Sequence, residues 1–278
     1  LYGNRASNKG FGRCRPLLCD HNIESKCAIS TSTANRYSLL DYFITMSTNA
    51  ETKMNGVKSH DESNGDDVPN KRPKLNTLFQ EVLASDIVER EGEFKKAYSE
   101  STPYPHAHIR NVFLPNFLNS VKEEIKSHTK VNFKESDLFR VYQSIDMANL
   151  EPGSELSIQL PHVMKLRELL YSQEWRSFME GLAGLPPSTL TNQIDCACNC
   201  HAPGCHLLCH DDVIGTRKVS YIIYLTEEDW KPEEGGSLEL YQPQNDEPSS
   251  NPLPVARAWP AFNSMAFFVV EPGASFHA

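Results

Sequence analysis

CHLLCHDDVIGTRKVSYIIYL, residues 205–225, joins a polar turn to a run of β-branched and aromatic residues. Val219 to Leu225 carry such side chains on both faces, which predicts a central strand. Just upstream, His210 and Asp212 stand two apart. In an extended segment, residues i and i+2 point the same way. An imidazole and a carboxylate would then face one metal while Asp211 points away. A third donor would have to come from another strand. His277 lies 65 residues beyond Asp212, behind the strand-like run Met265 to Val270 and the turn Glu271-Pro272-Gly273. Two imidazoles and one carboxylate cover one face of an octahedral metal and leave the other open, a donor set suited to non-haem iron.

Spacing alone is a weak signal. With 10 histidines in 278 residues, a His-x-Asp pair arises by chance in about one of every two chains of this composition. On the residues by themselves, His210 as a surface-loop histidine with Asp211 and Asp212 as turn carboxylates stands beside the metal reading. A zinc module is a second alternative, because Cys196, Cys198, Cys200, Cys205 and Cys209 crowd the same region with His201 and His206. Zinc sites more often use two separated Cys-x-x-Cys pairs. The alternation of Cys196, Cys198 and Cys200 is what one face of a strand would show.

Away from this region the chain divides by composition. Residues 1–76, rich in Ser, Asn, Thr and charge, read as a disordered leader. The chain begins with Leu1, and Met46 and Met54 are internal candidates for a true start. Pro69-Asn70-Lys71-Arg72-Pro73-Lys74 is a short basic cluster, readable as a nuclear-import signal or as a solvated charge run. The folded domain is expected over residues 77–278. Its first part reads as helices: Ser85 to Ser99 with Ser85 or Asp86 as cap, Phe117 to Ser127, and a long one from Pro161 to Met179 closed by Gly184. A strand is expected over Ile109 to Leu114. Beyond residue 190 the pattern turns to strands, with Ser237 to Tyr241 and Met265 to Val270 added to Val219 to Leu225. Helices first and short strands after predict an α+β fold, with a double-stranded β-helix (jelly roll) as its core, flanked by the N-terminal helices.

Charge and cysteines narrow the function classes. The net charge of −9 argues against nucleic acid as a main partner and suits a basic substrate. No apolar run approaches the ~20 residues of a membrane span. No secretory pattern accompanies the eight cysteines, so free thiols in a reducing compartment are expected.

The stretch from Cys205 to Leu225, the Gly235-Gly236 turn before LELY and the terminal FFVVEPGASFH together resemble the prolyl-hydroxylase family of 2-oxoglutarate- and Fe(II)-dependent dioxygenases. The likeness covers roughly residues 77–278 and is nearest the branch that hydroxylates a proline of a small-subunit ribosomal protein at the decoding centre. The HDDVIG form has a fungal look. The resemblance implies Fe(II), 2-oxoglutarate and oxygen as cofactor and co-substrates, with ascorbate as reductant. It places His210, Asp212 and His277 as iron ligands, Tyr224 as a hydrogen-bond partner of the 2-oxoglutarate distal carboxylate, and Leu207 with Leu208 as pocket lining. It expects an arginine fork for that carboxylate beyond Ala278, so the barrel is expected to be incomplete at this end. It also expects a tyrosine where Cys200-His201 stand here. A ribosomal protein as partner, a location in nucleus and cytoplasm, and an effect on translation follow from the same resemblance. A catalytically inactive barrel that binds a partner, and a collagen-type hydroxylase, are the competing readings within the fold.

Overall fold

The computed structural model describes residues 41–50, 77–243 and 253–278. In chain order the strands are β1 (Asp41–Ala50), β2 (His106–Arg110), β3 (Asn132–Glu135), β4 (Phe139–Asp146), β5 (Leu190–His201), β6 (His206–Leu207), β7 (Arg217–Tyr224), β8 (Leu238–Leu240), β9 (Ala256–Ala258) and β10 (Ser264–Val269). The helices are α1 (Thr77–Val82), α2 (Glu91–Ser99), α3 (Pro115–His128), α4 (Glu155–Gln159), α5 (Pro161–Leu170) and α6 (Gln173–Ala183). The fold class is therefore α+β, and its main sheet runs β2-β10-β7-β1-β5-β4-β3 with β6 paired to β4.

Alternation along β7 and β10 decides what each face of this sheet does. Val219, Tyr221 and Ile223 of β7, with Met265 and Phe267 of β10, are essentially buried in the larger core, beneath the helices. Tyr224, Ala266 and Phe268 turn to the opposite face and join a smaller cluster with Phe43, Tyr104 and Leu240. Period two thus sends one set of side chains to the helical layer and the other to the mouth of a half-barrel. The helices seal their face with Leu118, Val121, Leu166, Leu169 and Trp175. Trp175 is fully buried and its Nε1–H donates to the Tyr221 hydroxyl at 3.1 Å, joining α6 to the central strand.

A second, short layer faces the sheet across the half-barrel. Strands β8 and β9 pair antiparallel. His277 bridges both His210 and Leu240, so residues 276–278 lie between His210 on one side and β8 on the other. The two layers are the curled antiparallel architecture of a jelly roll.

Several elements depart from the sequence reading. The disordered leader expected through residue 76 contains β1, paired with β5 on one side and β7 on the other. Its signal is only Phe43 facing one way and Ile44 and Met46 the other. What holds it there is the pair of flanking strands, whose backbone groups would otherwise lack partners. The basic cluster at residues 69–74 lies outside the described residues. The long helix expected from Pro161 is two helices, because Ser172 caps the second: its hydroxyl accepts from the Trp175 N–H at 3.1 Å, a local bond that competes with helix continuation. Gly184 ends that helix in the left-handed conformation, and the Leu185 N–H reaches the Glu180 carbonyl. The helix expected from Ser85 starts only at Glu91; turns precede it, tied down by the Arg90 guanidinium on the Arg110 carbonyl. The strand expected over Ile109 to Leu114 is shifted to β2, since Asn111 at φ 55° breaks the ladder. The β3–β4 hairpin leaves little trace in the sequence: its pattern is amphipathic only in part, and every β3 residue is exposed.

Candidate metal centre

The backbone assembles the site first. His210 and His277 exchange two main-chain hydrogen bonds, of 2.9 and 2.8 Å, as an isolated antiparallel bridge. That pairing sets the two imidazoles side by side, with ring centroids 4.2 Å apart. Each ring is then fixed by the same local device. His210 Nδ1 lies 2.8 Å from the Leu208 carbonyl, and His277 Nδ1 lies 2.8 Å from the Ser275 carbonyl. A carbonyl only accepts, so Nδ1 carries the proton in both rings and Nε2 is left with its lone pair.

Both Nε2 atoms face Asp212. Oδ1 is 3.3 Å from His210 Nε2, and Oδ2 is 3.7 Å from His277 Nε2. Among the described residues, this is the one group of three or more potential metal ligands, with donor atoms all within 4.8 Å of one another. The expectation behind the pairing needs correcting. Asp212 is not in a strand; it sits at φ 63° in a loop, so strand parity does not explain its direction. Two donors on β7 hold it: Arg217 Nη1 at 2.7 Å from Oδ1 and Ser220 Oγ at 2.6 Å from Oδ2. Asp211 does point elsewhere, and it has a structural task there. Its carboxylate accepts from the N–H groups of Val213 and Gly273, both at 3.3 Å, while its carbonyl accepts from Ser275 Oγ at 3.0 Å. Asp211 thereby staples the 271–275 turn that delivers His277.

Further support comes from Tyr104, whose hydroxyl donates to the Phe276 carbonyl at 3.0 Å, and from the Phe268 ring, 4.6 Å from the His277 ring. Neither residue stands out in the sequence as a site residue, because both read as ordinary core aromatics.

The electrostatics fit a cation. Burial is the largest influence on Asp212 and pushes its pKa up. Its interactions with His210 and His277, the Arg217 guanidinium and the Ser220 hydroxyl outweigh it and hold the carboxyl well below the usual range. Burial pushes His277 down, aided by the neighbouring His210, to about 4. Burial also acts downward on His210, yet its bond to Asp212 leaves its pKa raised. An ionised carboxylate facing two imidazole Nε2 atoms is a donor set that suits a divalent ion.

The three side chains open onto a cavity of about 1040 Å³. Leu207 and Tyr224 line it, as do Phe43, His201, Ile222 and Phe268. Leu208 does not; it is half exposed, which corrects its assignment to the pocket. Tyr224 is buried, with its ring tilted against Phe43 and edge-on to His108. Where the resemblance expects a tyrosine, Cys200 is buried and His201 lines the cavity, edge-on to Phe43 at 4.8 Å. The five described cysteines carry free thiols. Cys196 and Cys198 sit on the core side of β5 with pKa values driven up by burial, and no cysteine belongs to the ligand cluster. The zinc-module reading loses its basis there.

Residues 196–278 match the family model of the 2OG-Fe(II) oxygenase superfamily. This part of the chain belongs to that superfamily. A prolyl 3,4-dihydroxylase of Ostreococcus tauri is 46% identical over 179 residues, covering 63% of this chain and 34% of that protein. A prolyl 3-hydroxylase of Xenopus laevis is 31% identical over 217 residues, 74% of this chain and 38% of that protein. One from Mus musculus is 28% identical over 240 residues, 81% of this chain and 40% of that protein. The chain thus spans little more than a third of the length of these curated relatives. The fungal look of residues 210–215 gains no support from them. Fe(II), 2-oxoglutarate and oxygen are the metal and co-substrates the superfamily implies, and the His210–Asp212–His277 cluster is chemically matched to the first of these.

Proposed function

We propose that this chain is the catalytic domain of a prolyl hydroxylase that uses Fe(II) and 2-oxoglutarate. The observation that carries the reading is the convergence of His210, Asp212 and His277 at a cavity within a superfamily match. Bound there, the metal with its co-substrates supplies the oxidative chemistry: 2-oxoglutarate, oxygen and a prolyl C–H become succinate, carbon dioxide and hydroxyproline. The protein's own share is position and shielding. His210 and His277 offer Nε2, and Asp212 a carboxylate oxygen. Tyr224 and Leu207 line the space beside them and are assigned to the co-substrate. No side chain is required as general acid or base.

The proposed substrate is a proline of a small-subunit ribosomal protein near the decoding centre, met in nucleus and cytoplasm. The resemblance of residues 205–225 supports that choice, and so does the charge of the cavity. Asp146, Asp195, Asp212, Glu233, Glu234 and Glu239 line it against Lys134 and Arg217, a field that favours a basic polypeptide. The test is direct. The purified chain is given Fe(II), 2-oxoglutarate, ascorbate and a proline-bearing peptide from that ribosomal protein. Succinate release coupled to a one-oxygen mass gain on proline is expected. Co-substrate consumption without peptide oxidation, with this and other proline peptides, would overturn the prolyl assignment.

A further inference from the structure

Asp212 holds a left-handed backbone conformation, φ 63°, a region that L-residues seldom adopt. What turns its carboxylate toward the two imidazoles comes from outside the loop: Arg217 Nη1 on Oδ1 and Ser220 Oγ on Oδ2, at 2.7 and 2.6 Å. These two donors are three residues apart on one strand. In a regular strand an odd spacing puts side chains on opposite faces, so they should not reach one carboxylate.

The pairing of β7 with β1 shows why they do. Thr48 stands opposite Val219, but Asn49 stands opposite Arg217. One step on β1 takes up two on β7, with Lys218 as the extra residue. This is a β-bulge, a device that re-aims side chains and is common beside active sites. Lys218 itself turns out to Glu271, 2.6 Å away, and its carbonyl accepts from the Val270 N–H at 2.8 Å. The alternation resets across it, and Arg217 returns to the face of Ser220. Arg217 is also 3.8 Å from Asp195, and its side chain is only 18% exposed.

We propose that the bulge at Lys218 builds a two-point clamp, in which Arg217 and Ser220 are positioning residues that set the Asp212 carboxylate for metal binding. The proposal rests on the metal-centre reading above. A carboxylate oriented before the ion arrives loses less freedom on binding, and such outer partners are typically worth about 10–100-fold in metal affinity. Ser220 is the cleaner probe, since removing its hydroxyl changes orientation without changing charge. Arg217→Lys keeps the charge but loses the planar fork.

The test titrates Mn(II) into the metal-free 278-residue chain without 2-oxoglutarate, reading free Mn(II) by electron paramagnetic resonance. Ser220→Ala is expected to weaken binding about tenfold or more, Ser220→Thr to restore it, and Arg217→Lys to weaken it as well. Circular dichroism checks that each variant is folded; should Ser220→Ala fail that check, Arg217→Lys and Ser220→Thr decide. Wild-type affinity in folded Ser220→Ala and Arg217→Lys would overturn the clamp while leaving the metal centre standing. Wild-type binding that survives Asp212→Ala would overturn the metal-centre reading itself, and the clamp with it.

Discussion

The two faces of the main sheet are held together by different physics. The helix-covered face is dry: Trp175, Phe267, Tyr221 and Leu166 are buried to within 1%, and apolar contact holds them. The cavity face has a smaller apolar cluster and depends on directional bonds instead: the His210–His277 bridge, the Asp211 staple, the Tyr104 hydroxyl and the two donors to Asp212. Packing tolerates hydrophobic exchange of like volume, whereas a site needs fixed directions and therefore leans on hydrogen bonds. The difference teaches that changes to one face should register as stability and changes to the other as affinity.

The largest expected effect breaks the cavity face. Asp212→Ala or His210→Ala should remove measurable metal binding and turnover, while Asp211→Ala, which loosens only the 271–275 turn, should cost far less. Calorimetric titration with Mn(II) checks both, and equal losses at 211 and 212 would deny the distinction. Next, Trp175→Ala opens the dry face and leaves the Tyr221 hydroxyl without its donor; about 3–5 kcal/mol of stability should be lost. Chemical denaturation measures it, and Mn(II) affinity of the folded fraction should be unchanged. A large affinity loss would show the faces to be coupled.

Acid should separate the faces more gently. His108, His201 and His277 belong to the cavity side, and burial, the main cause in each, lowers their pKa to about 4. The unfolded chain takes up protons near 6.5 while these folded groups do not. Their stabilising contribution is therefore full above 6.5 and is lost as pH falls from there to about 4. His210, raised by Asp212 against the pull of burial, works the other way and offsets part of this. The melting temperature of chelated protein should fall between pH 7 and pH 4.5; a flat or rising profile would contradict the burial of the three imidazoles. The smallest effect is a contrast in labelling. Iodoacetamide on native protein should modify exposed Cys209 and part-buried Cys205 and spare Cys196, Cys198 and Cys200, as peptide mass spectrometry will read. Rapid labelling of the β5 thiols would mean that the dry face opens.

Most of the dry face is legible from residue order. The β7 and β10 strands, α3 and the Gly184 stop follow from period and caps, which are local properties. The Ser172 cap was legible too, but only to a reader who weighs a mid-pattern serine against continuation of the helix. The site was legible as a donor set: His210, Asp212 and His277 are a chemistry that the chain spells out. Its geometry was not. Asp212 was expected to converge through strand parity, and it converges through a left-handed loop residue held from β7.

Sequence by itself therefore determined which side chains are apolar at which period, which donors exist, and which superfamily the last third of the chain resembles. Tertiary structure alone decided that residues 41–50 fill the sheet between β5 and β7, that a bulge at Lys218 turns Arg217 toward Asp212, and that Tyr104 secures the His277 turn. The reason is range. Period and capping are set by neighbours within a few residues, whereas pairing register, bulges and cross-strand donors depend on chain segments up to about 170 residues apart, whose contacts no local pattern encodes.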